Sequence, residues 1–130
     1  MVQRIVFPSA TQFLIDYLAT VTTAPVVGLG IPTAKRFVKI TRAGGLSDLD
    51  LADVAQLLVE IYDSWPDAAE LFALDIRSHI RSLEGRTVLG VNVKRVVEYG
   101  GIANLPDPRT PDLARFTFTI ALYLRGNPTE

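Results

Sequence analysis

The feature that most constrains this chain is residues 115–124, where side-chain character alternates without a break. Phe116, Phe118, Ile120, Leu122 and Leu124 fall on one face, and Arg115, Thr117, Thr119, Ala121 and Tyr123 on the other. Successive side chains of an extended strand point to opposite sides, so five large apolar groups line one face of a sheet. A register slip of one residue would turn all five toward water, so the pairing of this strand is strongly specified. The rest of the chain has to supply neighbouring strands and an apolar layer to cover that face.

Two helical patterns can supply the layer. Ser9, with Gln12 three residues on, has the spacing of a capping box. Phe13, Leu14, Tyr17, Leu18 and Val21 then recur on one face, which predicts a helix over residues 10–21. Asp63-Ser64-Trp65-Pro66-Asp67 reads as a second helix start. Phe72, Ile76, Ile80 and Leu83, with Ala69 and Ala73, form its apolar stripe. Gly85 follows as a stop, and Arg77 and Arg81 lie late in the helix, where its dipole favours cations.

The remaining segments read as strands and loops. Residues 25–31 and 36–42 predict a hairpin, with Pro32-Thr33-Ala34-Lys35 as the turn. Residues 43–52 read as a loop, 56–62 as a strand, and 87–99 as one strand carrying Val91, Val93 and Val97. Residues 100–114, rich in Gly, Pro and Asp, read as a long loop, and loops of that length are usually functional or disordered. The lead-in 1–7 and the tail 126–130 carry no strong pattern, and the tail is expected to be mobile. The expected architecture is α+β: two helices on one face of a mixed or mainly antiparallel sheet of about five strands. The 130 residues, without repeats, linkers or low-complexity stretches, suit a single domain spanning 1–130.

Composition narrows the function classes. A formal net charge of -1 gives no sign of a duplex DNA-binding surface. With no cysteine, disulfides and thiolate metal sites are out, and the single histidine, His79, leaves few His-based sites. Residues 1–10 lack a long apolar run, so no targeting segment is expected and synthesis in the cytoplasm is. The apolar run 24–31 is far below the ~20 residues of a membrane span.

The chemistry-bearing residues have ordinary explanations. His79 lies at the edge of the helix stripe with no locally spaced acid or nucleophile. Gly28-Leu29-Gly30-Ile31-Pro32 lacks the third glycine and the Lys-Ser/Thr pair of a phosphate loop. Asp48, Asp50 and Asp53 lack the central glycine and later glutamate of a calcium loop. Asp63, Asp67 and Glu70 suit the amides of a helix start. Arg36, Lys39 and Arg42 read as a solvated strand face, and Trp65 as a staple onto the core. No catalytic, cofactor or metal site is predicted. The unusual residues are apolar side chains in otherwise exposed loops: Leu46, Leu49 and Leu51 in one, Ile102 and Leu105 in the other. Either they fold back onto the domain or they form a patch that another chain covers.

Gly100-Gly101-Ile102-Ala103-Asn104-Leu105-Pro106-Asp107-Pro108, followed by Arg115-Phe116-Thr117-Phe118-Thr119 and ending in Leu124-Arg125-Gly126, resembles the tail terminator proteins of long-tailed bacteriophages of actinobacteria. The opening helix, the segment from Pro25 through Arg42-Ala43-Gly44-Gly45, and the strand before the long helix extend the resemblance in order along nearly the whole chain. It implies a subunit of a ring, a hexamer, that caps the head-proximal end of the tail tube, stops its polymerisation and joins it to the head. The implied partners are further copies of itself, the major tail tube protein and a head–tail connector of the neck. Genome DNA would pass through the ring without sequence-specific binding, and no membrane is involved. Interface candidates are Leu46, Leu49, Leu51, Gly100, Gly101, Ile102, Asn104, Leu105, Pro106, Asp107, Pro108 and Arg109. The competing readings are another connector or stopper protein of the same neck, a module binding a small ligand, and an enzyme built on paired carboxylates.

Overall fold

The computed structural model describes residues 4–48 and 52–129. Its elements run β1 (Arg4–Val6), α1 (Ala10–Val21), β2 (Val26–Val27), β3 (Phe37–Asp48), β4 (Ala52–Asp63), α2 (Pro66–Arg81), β5 (Arg86–Val88), β6 (Val91–Asn104), β7 (Ala114–Arg125) and β8 (Asn127–Thr129). Six strands form one sheet in the order β2-β3-β4-β7-β6-β5, and β1 pairs with β8 separately. The fold is α+β with both helices packed against a mostly antiparallel sheet, as the periodicities predict.

The alternating strand is at the centre. β7 pairs with β4 over its whole length, from Ala114 opposite Asp63 to Arg125 opposite Ala52. That register puts Phe116, Phe118, Ile120 and Leu122 beside Ile61, Val59, Leu57 and Ala55. With Val38 and Ile40 of β3 they make the apolar face of the sheet, which Phe13, Leu14 and Leu18 of α1 and Phe72, Ile76 and Ile80 of α2 cover. Burial of large aliphatic and aromatic groups contributes about 1.5–3 kcal/mol per side chain, so this layer dominates stability. The Ser9 cap forms, its Oγ accepting from the Gln12 amide at 3.2 Å. The reciprocal half of the box does not, because the Gln12 side chain donates to Asp16 instead. The Tyr17 hydroxyl donates to the His79 carbonyl at 3.1 Å and so ties the two helices together.

Several boundaries differ from expectation, each for a physical reason. The predicted hairpin is not one: β2 is two residues long and runs parallel to β3, Val26 opposite Val38. Residues 28–36 leave the sheet as a loop, because Gly28 and Gly30 supply no strand side chain and Pro32 no ladder donor. The expected loop 43–52 is strand on both sides, and residues 49–51 lie outside the described residues. The paired glycines there mark a register shift between Arg42 and Gly45 rather than a turn. A β-carbon on Gly45 would stand 1.9 Å from the Val54 carbonyl oxygen, so the two backbones approach closely only without a side chain. The single strand expected over 87–99 is a tight hairpin, with Leu89 and Gly90 both at positive φ between Val88 and Val91. β6 then continues through Gly100 and Gly101 to Asn104, with a second register shift between Tyr99 and Ala103. The expected long loop is therefore reduced to residues 105–113. The lead-in and the tail pair antiparallel, Ile5 opposite Pro128, where a mobile tail was expected.

Both edges of the sheet are sparsely covered. β2 pairs only with Val38 and Lys39 of β3, and β5 only with Val91, Asn92 and Val93 of β6.

Candidate functional site

The specific sequence element, residues 100–109, folds at the end of the sheet where β4 and β6 finish and β7 begins. Alternation sends the side chains of Glu60 and Tyr62 to the face opposite Ile61 and the helices. There Phe37 stacks on Tyr62, with ring centroids 4.3 Å apart. The buried Tyr62 hydroxyl stands 2.9 Å from Glu60 Oε2 and 3.0 Å from Asp107 Oδ2, and its one proton is donated between these two carboxylates. Each carboxylate has its own cation. Arg115 Nη1 donates to Glu60 Oε2 at 2.8 Å, and Arg109 Nη2 donates to Asp107 Oδ2 at 2.9 Å. Asp107 also accepts from the Arg109 amide at 2.9 Å, which closes a local turn.

This cluster sets the electrostatics. The Arg109 guanidinium, aided by the backbone amide and Tyr62, holds the Asp107 carboxyl well below the usual carboxylate range against the effect of burial. Burial, reinforced by hydrogen bonds to Glu60 and Asp107, pushes the Tyr62 phenol well above its ordinary value. Both shifts keep each group in the protonation state that makes its bonds. The arrangement is a fully paired anchor: among the described residues no buried side-chain nitrogen or oxygen lacks a partner.

The anchor holds the loop and decides what it shows. The Leu105 amide donates to the Arg115 carbonyl at 3.0 Å, and Arg115 Nε returns to the Leu105 carbonyl at 2.6 Å. Turns close from Thr110 to Asp107 and from Leu113 to Thr110, each at 3.0 Å. Asp107 is only 4% exposed, so it points inward as the latch, while Leu105 is 51% exposed. Between this loop and the start of α2 lies an open recess of about 370 Å³, walled by Trp65, Pro66, Asn104, Pro106, Pro111 and Leu113, with Ser64, Asp112 and Ala114.

The fold has a solved counterpart. A chain from the virion of a native gene transfer agent particle matches with a TM-score of 0.55, covering 92% of this chain and 87% of that one at 13% identity. At that identity the likeness is one of fold. No protein-family model matches the chain, and no curated protein matches it in sequence.

The predicted interface residues fall into distinct groups. Gly100 and Gly101 form the β6 bulge, and Ile102 packs partly against the core. Asn104, Leu105, Pro106, Pro108 and Arg109 are exposed around the anchored loop, whereas Asp107 is buried, contrary to its expected exposure. Leu46 is 75% exposed near the far end of the β3–β4 hairpin, and Leu49 and Leu51 lie outside the described residues. The structure brings residues 100–109 together and does not bring Leu46 to them.

The other candidates resolve as structural residues. Arg36 pairs with Asp63 at 2.6 Å and lies 3.7 Å over the Phe72 ring, so Asp63 serves the ion pair rather than the helix cap. Trp65 takes the cap position with Pro66 following, and it is 70% exposed on the rim of the recess instead of stapled to the core. Arg42 holds Asp53 through two bonds of 2.8 Å. Arg77 holds Glu98 at 2.6 and 2.7 Å, lowering the Glu98 pKa. His79 Nε2 lies 3.6 Å from Asp75. Among the described residues no group of three or more His, Asp or Glu side chains could hold a metal ion. Tyr62 and Glu60 were missed by sequence reasoning. The available signal was that Glu60 and Tyr62 flank Ile61 in the apolar run that begins at Leu57.

Proposed function

We propose that this protein is a virion structural protein, a tail terminator of single-domain subunits that form a ring, a hexamer, on the head-proximal end of a phage tail tube. It acts without catalysis. The ring stops tube polymerisation, presents a surface to the neck connector, and lets genome DNA pass through without sequence-specific contacts. The subunit is made in the host cytoplasm and resides in the particle. The observation that carries this reading is the likeness in fold, along nearly the full length of both chains, to a chain of a gene transfer agent virion. The resemblance of residues 100–109 and 115–126 to tail terminators agrees with it, as does a polar cluster in which every charge is spent on holding a loop.

Native mass spectrometry over a concentration series, combined with a tube-growth assay, tests the proposal. The expected result is a six-fold mass and arrest of purified tail tube protein at one end. A monomer at every concentration that leaves tube growth unchanged would overturn it. Binding to the neck connector but never to the tube end would favour the stopper reading.

A further inference from the structure

The sheet of this subunit ends on each side in a step, and the two steps match. β2 covers only Val38 and Lys39 of β3, so residues 40–48 have no strand on their outer side among the described residues. β5 covers only Val91, Asn92 and Val93 of β6, which leaves residues 94–104 open in the same way. The bare stretches are equally long. Residues 40–48 lie opposite eight positions of β4, Val59 to Ala52. Residues 95–104 lie opposite eight positions of β7, Tyr123 to Phe116. Each spans about 27 Å at about 3.4 Å per residue. The two edges run in opposite directions, and their short covering strands sit at opposite ends. A bare edge is a row of unpaired backbone groups ready to take a further strand. At one point a side chain stands in for that strand: Glu84 Oε1 accepts from the outward Val96 amide at 3.0 Å.

We propose that β3 of one copy pairs antiparallel with β6 of the next, Ile40 opposite Asn104, so that one sheet continues from subunit to subunit. The inference rests on the ring proposed above and names the contact that closes it. The steps fix the register. With Ile40 opposite Asn104, β2 of one copy stands beyond the end of the other's β6, and that copy's β5 stands beyond Asp48. A flush alignment would drive β2 into β6. The offset is two positions, because the row of Ile40 runs through Val59 to Phe118 and that of Asn104 through Phe116. An even offset keeps the side-chain alternation in phase, so both copies carry their helices on the same face. A closed ring absorbs such a stagger by tilting its strands. The same register sets Leu46, 75% exposed within its own subunit, opposite Val97. It also brings the bulges at residues 42–45 and 99–103 side by side, so neither kink meets a straight strand. A lone extended peptide fits one of these edges. Only a second copy brings an edge of equal length with its step at the other end, and on that ground the occupant is a second copy.

The chain has no cysteine, so introduced ones report this contact alone. Leu46→Cys and Val97→Cys in one chain stand three strand spacings apart, about 14 Å at about 4.8 Å each, too far to bridge internally. Between copies they face each other at a pair without hydrogen bonds, because the outward groups of β6 belong to Val96, and at such pairs side chains come closest. Oxidation is expected to give a ladder of covalent multimers ending at the ring size, whereas each single-cysteine chain stops at dimers. Val96→Pro removes an outward amide that an edge strand can spare. It is expected to leave the thermal midpoint of the isolated subunit near that of the parent and to raise the concentration for half-assembly by on the order of tenfold. A six-fold mass in the double-cysteine chain with no cross-linked ladder would overturn this contact while leaving the ring reading standing. So would a Val96→Pro chain that folds and assembles as the parent does. A double-cysteine chain that stays monomeric and uncross-linked at every concentration, with or without tail tube protein, would overturn both.

Discussion

Residues 105–113 and the far end of the β3–β4 hairpin look alike in sequence: aspartates and scattered leucines between apolar strands. In three dimensions they are held in opposite ways. The first is a loop latched by a buried carboxylate between a phenol and a guanidinium. The second is a pair of strands continued past a glycine bulge, with a guanidinium–carboxylate pair on its surface and Leu46 open to solvent. The comparison teaches that exposed leucines reveal nothing about rigidity. A rigid presenting loop needs an anchor beneath it, and the anchor here lies in a different strand.

The largest expected effect lies at the latch. Asp107→Ala removes the acceptor for Arg109 and one of the two for Tyr62, and should cost about 1–3 kcal/mol in denaturant unfolding. It should also speed exchange of the Leu105, Thr110 and Leu113 amides while leaving those of β3 unchanged. Unchanged exchange in the loop would break the contrast between the two regions.

The pH dependence should be smaller and follow the same asymmetry. The Asp107 pKa is lowered in the fold, so its contribution is complete above the unfolded value of about 3.9 and is lost as pH falls below it. The Tyr62 pKa is raised, so its contribution is complete below about 10 and is lost as pH rises beyond it. Thermal midpoints measured across this range should therefore fall at both ends, and Asp107→Asn should flatten the acid limb. An acid limb identical in that variant would assign the loss to other carboxylates.

The smallest effects belong to the hairpin. Arg42→Ala breaks a partly exposed ion pair and should cost about 0.2–1 kcal/mol. Leu46→Ser should stay within about 0.5 kcal/mol. A loss from Leu46→Ser as large as that from Asp107→Ala would mean that the hairpin, too, rests on a hidden anchor.

Much of the fold was legible because it is written locally. The period of β7, the stripe of α2 and the Ser9 cap each depend on residues within a turn or two of one another. The site was half legible. Asn104, Leu105, Pro106 and Arg109 stood out as exposed loop residues, but Asp107 reads the same way and is buried. Its partner Tyr62 comes from a strand forty-five positions earlier. Trp65 failed for a related reason, since a helix start next to an apolar strand is compatible with packing inward or outward.

By itself, then, the sequence determined which segments are helix or strand where periodicity was unbroken, which face of β7 is buried, and that no cysteine is available for chemistry. Only the tertiary structure decided that β2 runs parallel to β3, that paired glycines make bulges rather than loops, and that Asp107 is a latch. Side-chain alternation and capping are short-range and leave a mark in adjacent residues. Strand pairing, close backbone approach and buried ion pairs depend on which distant segments meet, and the packing of the whole sheet makes that choice.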